Sequence, residues 1–216
     1  MSVLLGAVFA YLLGSVSFAV VWSRVFGLPD PRTYGSGNPG ATNVLRSGRK
    51  AAAVLTLVGD AAKGAVAVGV VRALGIGDAG VALAAVAAFV GHLYPVYFGF
   101  KGGKGVATAF GILVALSPVL ALGVLATFAT VILASRYVSL ASVLSAAAAS
   151  VIAPFLFGWG AITGAVLAMA VLIVVRHRAN IHRLIAGEEA TIRLRKPRPA
   201  PLREPSATRD PSGVEH

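Results

Sequence analysis

The sequence contains no cysteine, and only 12% of its 216 residues are charged. The absence of cysteine excludes disulfide bonds, zinc sites built on thiolates and cysteine nucleophiles. A soluble domain of this length would carry about twice this fraction of charged residues. The scarcity of charge therefore argues against a water-soluble protein.

What the chain has in abundance is apolar sequence, with 57% hydrophobic residues and a mean hydropathy of +0.82. Long runs of about twenty apolar residues are typical of transmembrane helices. There is no period-two alternation of the kind that a membrane barrel requires. The sequence predicts an all-α, polytopic membrane helix bundle of about seven spans, near 3–23, 51–74, 79–98, 105–117, 119–135, 138–157 and 160–176.

No Lys or Arg precedes the first apolar run, which favours a retained span over a cleaved signal peptide. The fourth predicted span is short, and Pro118 separates it from the fifth. Five or six spans is therefore the alternative.

The basic residues predict how the bundle is oriented. Lys and Arg occur between spans one and two, three and four, and five and six, and after span seven, whereas the alternate connections have none. The positive-inside rule places the N-terminus outside and the C-terminus in the cytoplasm. The net charge of +11 by itself suggests nucleic-acid binding, but this distribution explains it, so no nucleic-acid partner is predicted. Spans two, four and six would begin at the cytoplasmic face, where helix N-termini suit anions.

The sequence predicts one membrane domain, residues 1–190, followed by a tail. After the last span, Ile181, Leu184 and Ile185 share one helical side with cations around them, which is typical of a short interfacial helix on anionic lipid. Residues 191–216 are rich in Pro and Arg and are predicted to be a disordered cytoplasmic tail.

The first polar segment is "TYGSGNPGATNVLRSGRK", residues 33–50. Gly37 and Gly40 allow backbone to come close to a ligand, and Arg46 can bind a phosphate through paired donors. Hydrogen-bonding side chains come from Ser36, Asn38, Thr42 and Asn43. The alternative is a polar connector with a helix cap.

The second polar segment is "GHLYPVYFGFKGGKGVATAFG", residues 91–111. It fails the nucleotide P-loop pattern, because Lys104 is followed by glycine and Phe98 stands where the first glycine is required. Gly102 and Gly103 beside this lysine, at a helix start, can still bind phosphate.

The two lysines and the histidine of this segment also have structural interpretations. Lys101 and Lys104 could serve only to set the topology while they face anionic lipid. His92 is interpreted as a packed, hydrogen-bonded histidine rather than a catalytic one.

The third polar segment is "RHRANIHRL", residues 176–184. His177 and Asn180 are spaced i, i+3, so a helix would place them on one face. Such a pair could orient a hydroxyl nucleophile or polarise a carbonyl. The alternative is a basic juxtamembrane anchor.

Charges inside the second span are a separate feature. Asp60 and Lys63 lie within the predicted hydrocarbon, where each isolated charge costs roughly 2.5–3.5 kcal/mol on insertion scales. We expect a buried ion pair, with a proton or ion pathway as the alternative.

No H-E-x-x-H motif or carboxylate cluster suggests a metal. Neither His92 nor His177 is followed by Asp five positions later, which argues against the HxxxxD acyltransferases.

"SGNPGATNVLR", "GHLYPVYFGFKGGKGVAT" and "HRANIHRLIAGEE" together resemble the three signature motifs of the bacterial acyl-phosphate-dependent glycerol-3-phosphate acyltransferases, in the family's order. The resemblance covers residues 1 to about 190. It implies a multi-pass enzyme of the bacterial inner membrane, surrounded by lipid, with its site on the cytoplasmic side. Such an enzyme transfers an acyl group from acyl phosphate to the 1-hydroxyl of glycerol 3-phosphate, the first acylation of phospholipid synthesis, and needs no metal or other cofactor.

The resemblance also implies which residues form the site. Carried onto the matching motif positions, the substrate site comprises Ser36, Arg46, Lys104, Ser142, His177 and Asn180, with phosphate cradled by the loops around Gly37, Gly40, Gly102 and Gly103. On this hypothesis Lys104 and Arg46 neutralise the two phosphates, and the 1-hydroxyl attacks directly. The base would be His177 or the departing phosphate.

A rival interpretation is a transporter of a phosphate ester or another anion. A carrier exposes its site to both faces, often at broken helices near the midplane. Here the polar motifs all map to one predicted face, which favours an enzyme. A purely structural membrane protein would leave the three polar segments unexplained.

Overall fold

The computed structural model describes residues 2–192, and within that range the secondary structure is entirely helical. The all-α prediction is thereby confirmed. The predicted disordered tail, from residue 193 on, lies outside the described residues. The helices are α1 Val3–Gly14, α2 Phe18–Val25, α3 Ala41–Leu45, α4 Lys50–Ala73, α5 Asp78–Leu93, α6 Val106–Leu116, α7 Pro118–Ser135, α8 Val138–Phe157, α9 Ala161–Arg176 and α10 Arg178–Ile185, with a 3-10 turn at Val96–Phe98.

Apolar helices occupy all seven predicted spans, but they differ in length. Five are long and apolar enough to cross a membrane on their own: Val3–Val25, Lys50–Ala73, Asp78–Phe98, Pro118–Ser135 and Val138–Phe157. The pair α9 and α10, bent by 56°, makes a sixth if it is counted as one span. The short fourth segment is α6, with 11 residues. It ends because Ser117 caps the next helix and Pro118 occupies that helix's first turn.

The connections between helices define two ends of the bundle. At one end Arg72, in the last turn of α4, donates to the carbonyl oxygens of Ala115 and Leu116 at the end of α6, at 3.0 Å each. At the other end lie loop 1 (residues 26–49), loop 2 (residues 99–105) and the junction of α9 with α10. We call this the motif end, because all three polar segments lie there.

Glycine allows the closest helix contacts in the bundle. A Cβ at Gly14 on α1 would overlap the backbone of Ala88 on α5, and a Cβ at Gly111 on α6 would overlap the backbone of Ala61 on α4. Small residues let transmembrane helices approach in this way. The α1–α5 and α4–α6 pairs form the centre, and α9, α8 and α7 pack in turn against them.

The outer surface of the bundle is apolar. Leu4, Leu133, Phe155 and Val171 are among many large hydrophobic side chains that are exposed. An apolar surface of this extent marks contact with membrane lipid. This surface agrees with the predicted membrane location.

Two sequence-based interpretations of buried polar residues are confirmed. Lys63 Nζ lies 2.8 Å from Asp60 Oδ1, and both side chains are almost completely buried. His92 is buried on α5, and its Nδ1 lies 3.1 Å from the hydroxyl of Thr108. The predicted ion pair and the packed histidine are therefore neighbours in the interior.

Candidate active site

Loop 1 folds around the buried side chain of Asn43. Its Nδ2 donates to the carbonyl oxygens of Pro31 at 2.7 Å and Tyr34 at 3.1 Å, and its Oδ1 accepts the Ser36 backbone N–H at 3.0 Å. Asn43 was expected to bind substrate, but in the structure its side-chain amide forms hydrogen bonds with the backbone of loop 1. The side chains of Ser36 and Arg46 are exposed, and Arg46 reaches the same Oδ1 at 3.5 Å.

The glycines of loop 1 use their amides within the loop. The N–H of Gly37 donates to the carbonyl of Tyr34, and that of Gly40 donates to the carbonyl of Asn38, each at 2.9 Å. Gly37 has a φ of +66°, which glycine adopts without strain. Asn38 is half-buried and Thr42 is exposed on α3. These glycines therefore shape a turn and do not aim free N–H groups at a ligand.

Lys104 links loop 2 to α10. Its Nζ donates to Asn180 Oδ1, and Asn180 Nδ2 donates to Glu189 Oε1, both at 2.5 Å. Glu189 also accepts from Arg183 Nε at 2.8 Å. The side chain of Glu189 is 8% exposed, so a buried carboxylate orients the amide that holds the lysine.

Arg176 clamps the glycines of loop 2. Its guanidinium donates to the carbonyl oxygen of Gly102 at 3.1 Å and to that of Gly103 at 3.0 and 3.2 Å, and it lies 5.6 Å from the centre of the Tyr94 ring. The Gly103 N–H donates to the carbonyl of His92 at 3.2 Å. The Gly103 amide is therefore used within the protein, and a Cβ at either glycine would overlap His92.

Loop 1 and loop 2 are in direct contact. Arg32 donates at 3.1 Å to the carbonyl oxygen of Phe98, in the 3-10 turn directly before loop 2, and its guanidinium lies 5.8 Å from the centre of the Phe98 ring. The carbonyl of Pro39 also lies against Gly103. Since Arg176 and Asn180 join loop 2 to the third segment, all three polar segments meet at the motif end.

His177 stands at the bend between α9 and α10, where the predicted last span gives way to the predicted interfacial helix. It is buried, and its Nδ1 lies 2.8 Å from the carbonyl oxygen of Ile173. Because a carbonyl only accepts, Nδ1 carries the ring hydrogen and Nε2 has the lone pair. Burial, aided by the nearby cations Lys104 and Arg176, lowers the pKa of His177 to about 4. The ring is therefore a neutral hydrogen-bond acceptor at physiological pH.

The charged groups at the motif end perturb one another. Burial, together with the cations Arg183, Arg176 and Arg46 and against the opposing effect of Glu189, lowers the pKa of Lys104 to about 8. Burial alone would raise the pKa of Glu189, but its hydrogen bonds from Asn180 and Arg183 outweigh that effect and lower it. The site thus holds an excess of positive charge around one buried carboxylate.

Ser142 is the predicted site residue whose contacts are most local. It is buried on α8, and its hydroxyl donates to the carbonyl of Val138 at 2.8 Å in its own helix. The α8 helix packs against α10. Ser142 therefore belongs to a helix that borders the site.

Arg176 and Glu189 were not singled out as site residues from the sequence. Arg176 counted only toward the positive-inside pattern, and Glu189 lay unassigned in the third motif. The available signal was a lone acidic pair, Glu188 and Glu189, directly after a strongly basic segment. The sequence does not show that Arg176 contacts Gly102 and Gly103, or that Glu189 contacts Asn180.

Comparison with known proteins gives consistent matches. A family sequence model described as "Glycerol-3-phosphate acyltransferase" matches residues 4–187. Curated proteins named glycerol-3-phosphate acyltransferase are 58% identical in Burkholderia pseudomallei strain 1710b, over 91% of this chain and 98% of that protein, and 58% identical in Thiobacillus denitrificans, over 88% and 96%.

Two crystal structures are also similar. Both are of PlsY (YgiH), described as an integral membrane glycerol 3-phosphate acyltransferase. The glycerol 3-phosphate form has a TM-score of 0.83 and 41% identity, covering 89% of this chain and 96% of that chain. The lysophosphatidic acid form has a TM-score of 0.81 and 40% identity, covering 88% and 95%. With its helical membrane fold and its cationic motif end, this chain belongs to the glycerol-3-phosphate acyltransferase family.

Proposed function

We propose that this protein transfers a fatty acyl group from acyl phosphate to the 1-hydroxyl of sn-glycerol 3-phosphate, giving lysophosphatidic acid and inorganic phosphate. The observation that carries the proposal is the Lys104–Asn180–Glu189 chain of hydrogen bonds, which joins loop 2 to α10 beside Arg46 and Arg176. Both substrates are phosphate anions, so a site with excess positive charge suits them. Family membership supports glycerol 3-phosphate as the acceptor.

The side chains divide into those that bind charge and those that orient the acceptor. Lys104 and the exposed Arg46 neutralise the two phosphates. Asn180 and Ser36 supply neutral hydrogen bonds. The Nε2 lone pair of His177 accepts the hydrogen of the 1-hydroxyl and so directs the oxygen at the acyl carbon.

The chemistry balances without a covalent enzyme intermediate. The 1-hydroxyl oxygen bonds to the acyl carbon, and the bond from that carbon to the phosphate oxygen breaks. The departing phosphate takes up the hydroxyl proton, because a histidine with a pKa of about 4 is a weak base. The cations stabilise the charge that moves onto the leaving group.

The direct test is an assay of the purified protein in lipid nanodiscs. With palmitoyl phosphate and glycerol 3-phosphate together, we expect release of inorganic phosphate in step with lysophosphatidic acid detected by mass spectrometry. Phosphate release that does not depend on glycerol 3-phosphate, or equal use of palmitoyl-CoA, would contradict the proposal. Uptake of glycerol 3-phosphate into sealed vesicles without an acylated product would identify a transporter instead.

The pKa of Lys104 leads to an expected pH dependence. The ammonium form is present below pH 8 and is lost as the pH rises through about 8. We therefore expect the KM for glycerol 3-phosphate to rise above that pH. In Lys104→Arg, whose guanidinium stays charged, the rise should disappear or move to higher pH. The measurement is KM from pH 6.5 to 9.5, and an identical profile for both proteins would refute the role of the lysine charge.

Glu189→Gln removes the buried charge that orients Asn180 and Arg183. Since hydrogen bonds to charged groups are the stronger ones, we expect kcat/KM to fall about tenfold or more. Glu188→Gln is the matched control, because the neighbouring Glu188 is exposed and should have no effect on kcat/KM. Equal behaviour of the two variants would remove Glu189 from the site.

We also propose that the motif end faces the cytoplasm from the bacterial inner membrane, as the positive-inside rule predicts. The chain lacks cysteine, so single cysteines can be introduced cleanly. Arg49→Cys, at the motif end, should resist an impermeant maleimide in intact spheroplasts. Trp159→Cys, between α8 and α9, should react. The reverse pattern would invert the proposed orientation.

A further inference from the structure

A polar cluster that the proposed reaction does not use lies buried beneath loop 2. Its members are Asp60 and Lys63 on α4, His92 on α5 and Thr108 on α6, and none is more than 6% exposed. Charges in the interior of a membrane bundle are costly, and apolar side chains of similar volume would often fill the same space equally well. The position of the cluster therefore needs an explanation beyond packing.

The contacts within the cluster join four parts of the bundle. Lys63 Nζ lies 2.8 Å from Asp60 Oδ1 and donates at 2.6 Å to the carbonyl of Val16, at the break between α1 and α2. His92 Nδ1 lies 3.7 Å from that same Oδ1 and 3.1 Å from Thr108 Oγ1. Asp60 Oδ1 forms no aligned hydrogen bond among the described residues. The imidazole is thus held at Nδ1 by the hydroxyl of Thr108 on α6, with the carboxylate of Asp60 on α4 nearby.

The other side of His92 supports loop 2. Its carbonyl oxygen accepts the Gly103 N–H at 3.2 Å, and its Nε2 lies so close that a Cβ at Gly103 would overlap it. A Cβ at Gly102 would overlap the His92 carbonyl. Arg176 donates hydrogen bonds to the carbonyls of the same two glycines. The backbone that leads into Lys104 is therefore held by both His92 and Arg176.

We propose that His92, oriented by its hydrogen bond with Thr108, is a positioning residue for the glycerol 3-phosphate site. It fixes the position of the Gly102–Gly103 backbone and thereby the orientation of the Lys104 side chain. The kinetic test of this inference rests on the proposed function. The change in affinity for glycerol 3-phosphate that we expect can be measured without turnover.

Thr108→Val tests this inference with the smallest change. Valine keeps the volume and the branched shape but removes the hydroxyl that holds His92 Nδ1. We expect the KM and the Kd for glycerol 3-phosphate to rise roughly tenfold, as for loss of one buried hydrogen bond, while kcat changes little. Thr108→Ser, which keeps the hydroxyl, should restore both constants.

Thr127→Val is the matched control. Thr127 lies on α7, and its hydroxyl donates to the carbonyl of Gly123 in its own helix at 2.9 Å. The chemical change is the same, but the hydrogen bond that is lost lies within α7 and not at His92. We expect its kinetic constants to equal those of the unaltered protein.

The outcomes separate positioning from a merely structural role. A structural role would reduce the amount of folded protein and the maximal rate but leave KM and Kd unchanged, and that result overturns the inference. If Thr108→Val does not fold, His92→Phe, which fills the space without ring nitrogens, must show the same loss of affinity.

Calorimetric titration with glycerol 3-phosphate requires no turnover, so it keeps the two proposals distinct. Unaltered protein that binds but transfers no acyl group refutes the proposed function alone. Active unaltered protein together with a Thr108→Val variant that binds normally refutes the role of His92 alone.

Discussion

Replacing Lys104 with alanine should reduce acyl transfer to glycerol 3-phosphate by roughly 100- to 1,000-fold in kcat/KM, the range for removal of one preorganised charge-stabilising donor. The ammonium group is the cation that the Asn180 and Glu189 side chains orient. Its loss leaves a phosphate without its directed counter-charge and leaves Asn180 Oδ1 without a partner. The measurement is release of phosphate dependent on glycerol 3-phosphate.

Lys101→Ala is the matched control for this experiment. Lys101 lies three residues earlier in the same loop, and it is exposed. If both lysines only set the topology, the two alanine variants should behave alike. If Lys104 binds phosphate, only its variant should lose activity, with the same elution volume on size exclusion. Near-normal turnover by Lys104→Ala would remove this residue from the site.

Gly102→Ala should have a comparably large effect through the backbone. A methyl group there would overlap the carbonyl oxygens of His92 and Leu93 and crowd the ring of Pro95. These are backbone and ring atoms that cannot rotate away, so loop 2 must move and take Lys104 with it. A displacement of about 1 Å at a reacting site can cost about 100-fold in rate, and we expect a loss of that size in kcat/KM.

Gly69→Ala is the matched control for the glycine. Gly69 lies inside α4, and a Cβ there meets no atom within 4 Å. Alanine is the better helix former, so activity should be unchanged and thermal stability equal or slightly higher. Activity of Gly102→Ala close to that of Gly69→Ala would show that loop 2 tolerates displacement. The site would then be less rigid than the contacts of Gly102 indicate.

The bundle itself was largely predictable from the sequence because hydrocarbon imposes a simple rule. Backbone groups in lipid must be paired within the chain, so long apolar runs become helices. The predicted span at 51–74 corresponds closely to α4, Lys50–Ala73. The break in the first span was missed, because Ser15 and Ser17 are small and uncharged and do not interrupt the apolar run. They separate α1 from α2.

The glycine loops show where residue type was an insufficient guide. Glycine beside a cation predicts exposed N–H groups for phosphate, yet the amides of Gly37, Gly40 and Gly103 are used by neighbouring carbonyls. At positions 102 and 103 there is no space for a Cβ atom. Crowding by His92 and Pro95 depends on the path of the backbone from α5 to loop 2. No local sequence pattern predicts that path.

By itself the sequence determined the helical membrane class, the placement of the polar segments at one end, and the resemblance of the three motifs, because apolar run length, charge distribution and motif spacing are all properties of the linear chain. Only the tertiary structure decided that Arg176 clamps Gly102 and Gly103, that Glu189 orients Asn180 toward Lys104, and that His92 lies under loop 2. These contacts join residues up to 76 positions apart. They arise from how the helices pack, which hydrophobic periodicity constrains only weakly.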